Sequence, residues 1–155
     1  MDLRERLFAD MNQALKSGDK IALGAIRLLR VQIHEEEKQR KRPLTDEEIA
    51  EIGFQAIRKR RDAIEQFQRG NRQDLVDKEE FEIKVVERYL PARMSEPELR
   101  ALVAEAIRET GATQPKDLGK VMGRLMPKVK GKADGSDVNR IVRELLEAAG
   151  GSGAA

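Results

Sequence analysis

The sequence predicts an all-α protein, with an N-terminal hairpin or bundle of about four helices followed by a small three-helix domain. Three observations carry that prediction. Apolar residues recur at three- and four-residue spacing along most of the chain, which is the period of an amphipathic helix. Two helix-start signatures, Thr45 with Glu48 and Ser95 with Glu98, stand where new helices would begin. Only five of 155 residues are aromatic (Phe8, Phe54, Phe67, Phe81 and Tyr89) while 37% are charged, which implies a thin aliphatic core of packed helices.

The first helix is marked by Leu3, Leu7, Met11 and Leu15, with Phe8 and Ala14 widening the stripe, and Gly18 ends it. Asp19 caps a second helix whose apolar face is Leu23, Ile26, Leu29 or Val31, and Ile33. Gly24 lies inside that helix at a cost of roughly 1 kcal/mol relative to alanine, so a neighbouring helix is expected to approach it closely. Glu36 with Arg40 and Glu37 with Lys41 stand at the favourable four-residue spacing, as at a solvated helix end.

After Pro43 and Leu44, the Thr45 box opens a long third helix carrying Ile49, Ile52, Ala56, Ile57, Ile64 and Phe67. The run Arg58 to Arg61 points around the whole helix, with Asp62 and Glu65 one turn on, and reads as surface charge rather than a phosphate patch. Gly70 and Asn71 close this helix. A fourth runs from about Asp74 through Ile83, Val86 and Leu90 to Pro91.

The boundary between domains is expected there, giving 1–92 as one unit and 95–149 as the next. The second unit has helices marked by Leu99, Leu102, Val103, Ala106 and Ile107, then by Leu118, Val121, Met122, Leu125 and Met126 up to a stop at Pro127, and last by Val138, Ile141, Val142, Leu145 and Leu146. A Gly, Ser and Ala tail, 150–155, is expected to be disordered.

Composition excludes several classes of chemistry. Without cysteine there is no disulfide and no Cys-type zinc site, and His34 alone supplies neither a histidine metal pair nor a nucleophilic triad. The carboxylates are those a soluble helical protein carries on its surface, and none is set apart by apolar surroundings, so no catalytic set, metal site or cofactor is expected. The N-terminal residues carry charges throughout, and no apolar run approaches the ~18 residues of a membrane span; a cytoplasmic protein away from membranes is the expectation.

One stretch concentrates both charge and backbone punctuation. Between Lys116 and Lys132, the cations Lys116, Lys120, Arg124, Lys128, Lys130 and Lys132 face Asp117 alone, a local charge of +5 in a chain whose total is +2. Lys116, Lys120 and Arg124 repeat every four residues and form one ridge, continued by the last three lysines in a loop. Gly119 and Gly123 share a helix face and are expected to let another helix pack closely. Gly131 and Gly135 bracket a turn needing positive φ that delivers the chain to a helix N-terminus, where free N–H groups attract a phosphate unless Asp134 caps them first. The spacing does not match a P-loop. Clustered Lys and Arg without base-reading groups suit a sequence-tolerant contact with a nucleic-acid backbone.

Through GATQPKDLGKVMGRLMPKVKGKADGSDVNRIVRELL the C-terminal half resembles the GatB/YqeY domain. Through LGAIRLLR, RPLTDEEI, RKRRDAIEQFQRGNRQDL and ERYLP the N-terminal half is similar to the free-standing YqeY-like proteins, so that the likeness spans nearly the full length. The resemblance implies a two-part helical fold and a kinship with the tail of the B subunit of the glutamyl- and aspartyl-tRNA amidotransferase, which contacts tRNA. It places the tail's motif on Gly119, Lys120, Met122, Gly123, Lys130, Gly131, Ala133, Asp134 and Gly135. It does not transfer the amidotransferase reaction, which belongs to a separate large domain and another subunit. The function expected is therefore a tRNA-binding module, or one associated with tRNA-modifying or aminoacylating enzymes. The alternatives are a protein-interaction adaptor that binds no nucleic acid, and an accessory of a carbon–nitrogen ligase with glutamine as amido donor.

Overall fold

A computed structural model describes residues 1–152. The protein is all-α, with no strand among the described residues. The helices are α1 (Leu3–Ser17), α2 (Lys20–Arg40), α3 (Asp46–Arg69), α4 (Gln73–Glu87), α5 (Glu96–Thr110), α6 (Leu118–Val129) and α7 (Gly135–Ser152), with one 3₁₀ turn at Pro115–Asp117. They group into two compact units, Met1–Pro91 and the chain from Ala92 onward, each with its own core. Gly150, Gly151 and Ser152, expected in a disordered tail, continue α7, and the rest of that tail, 153–155, lies outside the described residues.

In the first unit, local chemistry sets the helix ends. Thr45 Oγ1 accepts the Glu48 N–H at 3.2 Å while Glu48 Oε2 accepts the Thr45 N–H at 2.9 Å, closing a reciprocal cap on α3. Asp2 and Glu5 build the same device on α1, and Gly18 ends that helix at φ +73°. Asn71 takes the left-handed conformation after α3, at φ +55°, a state asparagine tolerates because its short side chain bonds locally.

Charged side chains that read as solvated in the sequence tie this unit together. Arg40 does pair with Glu36, at 2.7 Å. Glu37, however, pairs with Arg4 of α1 and accepts the Leu44 N–H at 3.0 Å, instead of pairing with Lys41. Lys41 cannot serve, because it leaves the helix at φ +57° as its C-cap. Glu48, only 5% exposed, receives Arg40 and Arg42 as well as Thr45. In the basic run of α3, Arg60 turns toward α4 and pairs with Glu79 and Glu82 across the helix interface, not along its own helix.

Glycine contacts also differ from expectation. A Cβ on Gly24 would meet nothing within 4 Å, so no neighbouring helix approaches it. The close approach falls at Gly53 of α3, where a Cβ would stand 2.5 Å from Leu90 Cδ2. Tyr89, just past α4, is 3% exposed, donates its hydroxyl to Asp10 Oδ2 at 2.6 Å and packs its ring under Arg6, 5.4 Å from the centroid. That contact fastens the end of α4 to α1.

In the second unit, a reciprocal cap between Ser95 and Glu98 starts α5 and Gly111 ends it at φ +69°. Val103, Val121, Leu125, Val129, Val138, Val142 and Leu146 are fully buried. The core is aliphatic, and it fixes which face of α6 turns outward. Between α5 and α7 an exposed ion network joins Arg100 to Glu96 and Glu144, and Arg140 to the same two acids.

Candidate nucleic-acid interface

Helix α6 owes its orientation to Val121, Leu125 and Val129, spaced four apart and buried on one side. Lys116, Lys120, Arg124 and Lys128 repeat at the same interval and are all exposed. Lys128 belongs to the helix and not to the loop, because α6 runs through Pro127 to Val129. Proline has no N–H to give the carbonyl of Gly123 and usually ends a helix. Here the last turn holds because Val129 is buried and the Lys130 N–H closes on the Met126 carbonyl at 2.9 Å.

Among the described residues, nothing packs against Gly119 or Gly123. Both are exposed, and a Cβ at either would meet no atom within 4 Å. With the valines and Leu125 turned inward, the two glycines and Pro127 lie on the outer side, a strip of bare helix backbone beside the cationic ridge.

Two acids temper the ridge. Glu109 of α5 accepts from Arg124 Nε at 2.8 Å and lies 3.9 Å from Lys128 Nζ. The Arg124 hydrogen bond foremost, then the Lys128 and Arg124 charges, hold the Glu109 carboxyl below the ordinary carboxylate range. Asp117 is held down as well, chiefly by the Thr113 N–H, which it accepts at 3.1 Å, with help from Lys120 and Lys116.

Beyond the helix the chain turns at Gly131, whose φ of +74° is the left-handed conformation expected; Gly135 does not share it. Lys130 is half-buried and Lys132 exposed. The turn is braced, since the Lys132 and Ala133 N–H groups both bond to the Val129 carbonyl, and the Lys132 carbonyl accepts the Met94 N–H at 3.0 Å. Asp134 is buried, and its Oδ1 accepts the Ser136 N–H at 3.0 Å. The N-terminus of α7 is thereby capped from within, so the phosphate expected at that helix end meets a carboxylate already in place.

The Met94 bond also brings Arg93 beside the loop, where it pairs with Asp137 at 2.9 Å. Sequence reasoning missed Arg93 because nothing in its local spacing relates it to residue 132. No group of three or more potential metal-ligating side chains occurs among the described residues. No helix of the described residues is long and apolar enough to cross a membrane.

Two helical units, the second bearing an outward basic helix and a braced glycine turn, define a small all-α protein with a cationic helix face. The chain belongs to the family of Yqey-like proteins, whose profile matches residues 4–146. It is 33% identical over 147 residues to the altered inheritance of mitochondria protein 41, mitochondrial, of Pyrenophora tritici-repentis, covering 92% of this chain and 80% of that one. A protein of the same name from Lachancea thermotolerans is 30% identical, over 74% of this chain and 63% of its own length. An uncharacterized protein of Schizosaccharomyces pombe is 32% identical over 53% of this chain and 67% of that one.

Proposed function

We propose that this Yqey-like protein is a tRNA-binding module, or a partner of tRNA-modifying or aminoacylating enzymes, that contacts RNA phosphates through α6 and the loop after it. The observation that supports the reading most is the pairing of an exposed lysine row with a bare strip of backbone at Gly119 and Gly123. Lys116, Lys120, Arg124, Lys128, Lys130 and Lys132 supply charge for phosphates, and the glycines allow a ribose-phosphate chain to lie close to the helix. Gly131, Asp134 and Gly135 shape the loop in this reading and do not bind the anion themselves. Base reading is not part of it, because charge clusters position a nucleic acid without specifying its sequence. No amide-forming step is assigned to the chain; a role beside a glutamine-dependent carbon–nitrogen ligase would be that of an accessory. A cytoplasmic site of action belongs to the same proposal, and the word mitochondrial in two relatives' names speaks for those proteins.

The test is a titration of tRNA with wild type and with a Lys120→Ala, Lys128→Ala, Lys132→Ala variant at about 50 and about 200 mM salt. For every phosphate no longer neutralised, the slope of log affinity against log salt should fall by roughly 0.7 to 0.9, so the triple variant should lose about 2 to 3 units of slope. A Gly123→Leu variant, which fills open space outside the core, should bind more weakly while remaining folded. Equal affinity of wild type and triple variant at both salt concentrations would remove the proposal.

A further inference from the structure

Pro127 inside α6 leaves a backbone group of the helix without its regular partner. In an α-helix each carbonyl accepts the N–H four residues on, and the residue four on from Gly123 is a proline, which has none. The helix continues past Pro127 to Val129, so the gap lies within the helix and not beyond its end. Gly123 and Pro127 are both exposed, as is Gly119 one turn before. A Cβ at Gly119 or Gly123 would meet nothing within 4 Å, so this side of the helix is open around the carbonyl. Lys120, Arg124 and Lys128 stand exposed in the adjoining row, while the buried row of Val121, Leu125 and Val129 lies opposite.

An acceptor set beside cations has a definite complement in a nucleic acid. Phosphate oxygens only accept hydrogen bonds, so they suit the lysines and are repelled by a carbonyl. Between its ends the sugar–phosphate chain of DNA offers no donor, whereas that of RNA offers the ribose 2′-hydroxyl at every nucleotide. We propose that the Gly123 carbonyl accepts the 2′-hydroxyl of a ribose whose flanking phosphates lie on the Lys120 row, so that α6 distinguishes RNA from DNA without reading a base. The inference rests on the phosphate contact proposed above and names the group through which that face selects its nucleic acid. Gly119 and Gly123 let the sugar reach the carbonyl. Pro127 withholds the N–H that would compete for it, and is a positioning residue that acts through Gly123. Because water serves an exposed carbonyl nearly as well, one such neutral bond should be worth about three- to tenfold in affinity.

The experiment titrates the full-length protein with one tRNA sequence synthesised with ribose, with 2′-deoxyribose and with 2′-fluororibose, the last of which keeps the ribose pucker but loses the donor. Wild type should bind the ribose form about three- to tenfold more tightly than either of the others. Pro127→Ala supplies the Gly123 carbonyl with an N–H inside the helix and should erase the difference between the ribose and 2′-fluoro forms. Circular dichroism checks that the variant keeps its helix content. Lys120→Ala should weaken binding of every form and leave that difference in place, because it removes a phosphate contact and not the acceptor. A wild type that binds all the forms equally would overturn the inference and leave the phosphate contact standing, and so would a preference for ribose that survives in Pro127→Ala. Absence of binding to any form at low salt would remove the phosphate contact itself, and the inference with it.

Discussion

Tyr89 offers a probe that reads one site in one protein. It is the single tyrosine of the chain, and tryptophan is absent, so phenolate absorbance reports this side chain alone. Burial first, then the hydrogen bond to Asp10 and the Asp10 charge, push its ionisation well above the ordinary 10.0. Because the unfolded chain ionises near 10 and the folded one does not, stability contributed by the neutral phenol is fully present below that pH and lost as pH rises beyond it. An alkaline titration should therefore show no phenolate at the ordinary value, and then a rise that coincides with loss of helical signal. Tyr89→Phe removes a 2.6 Å hydrogen bond to a carboxylate. Such bonds are worth about 1.5 to 3 kcal/mol, and since Asp10 is exposed and water can replace the phenol, the cost should sit near 1.5 kcal/mol. For a unit the size of Met1–Pro91 that lowers the melting temperature by roughly 6 to 12 °C. Asp10→Asn keeps an acceptor and should cost less. A phenol that titrates near 10 in the folded protein, or a Tyr89→Phe variant that melts with wild type, would refute the reasoning.

Two further outcomes follow from the carboxylates. Glu48 is held far below its ordinary 4.5, foremost by the Arg42 hydrogen bond and then by the Thr45 N–H, with the Arg42 and Arg40 charges adding to them against burial. Its stabilisation is present above 4.5 and fades as pH falls, so Glu48→Gln should shift the denaturant midpoint strongly at neutral pH and progressively less below pH 4.5, as paired unfolding curves at the two ends will show. Glu109→Gln leaves Arg124 and Lys128 without their shared carboxylate. On the proposed function it should tighten tRNA binding at low salt, with the gain disappearing at high salt; unchanged binding would place those two cations outside the interface.

The fold was legible where local chemistry decides it. Thr45 with Glu48 and Ser95 with Glu98 cap helices because their partners are three residues away, and the aliphatic periods of α5 to α7 mark the face that is buried. Tertiary pairing was not legible. Glu37 has a good helical partner in Lys41, yet it turns to Arg4, and Arg60 sits among like residues with acids one turn on, yet it reaches α4. Four-residue spacing offers Glu37 a partner in Lys41 that the helix end takes away, and offers Arg60 none, since Ala56 and Ile64 stand there; the packing of helices distant in sequence supplies the partners both use. Pro127 failed as a stop signal for a similar reason, since burial of Val129 holds one more turn than local propensity allows. At the candidate interface the sequence located the cations and Gly131. It left open whether Asp134 or a phosphate would meet the α7 N-terminus, and in the structure Asp134 accepts the Ser136 N–H there.

Glycine placement sets the interior of the fold apart from its open helix faces. Inside a helix glycine costs roughly 1 kcal/mol relative to alanine, and that cost is offset when a missing side chain admits a neighbour. Gly53 is offset within the fold, because Leu90 occupies the space where its Cβ would be. Gly24 and Gly123 lie inside α2 and α6 with nothing over them, so the folded chain alone recovers nothing from either. Each stands on a face poor in acids, one lined by Lys20 and Arg27, the other by Lys120 and Lys116. Substituting alanine at both positions should therefore raise the stability of the free protein by up to about 2 kcal/mol. If the α6 face binds tRNA as proposed, the alanine at Gly123 weakens that binding while the alanine at Gly24 leaves it unchanged. A doubly substituted protein that is more stable and binds tRNA as before would mean that the open glycine of α6 has no part in the contact.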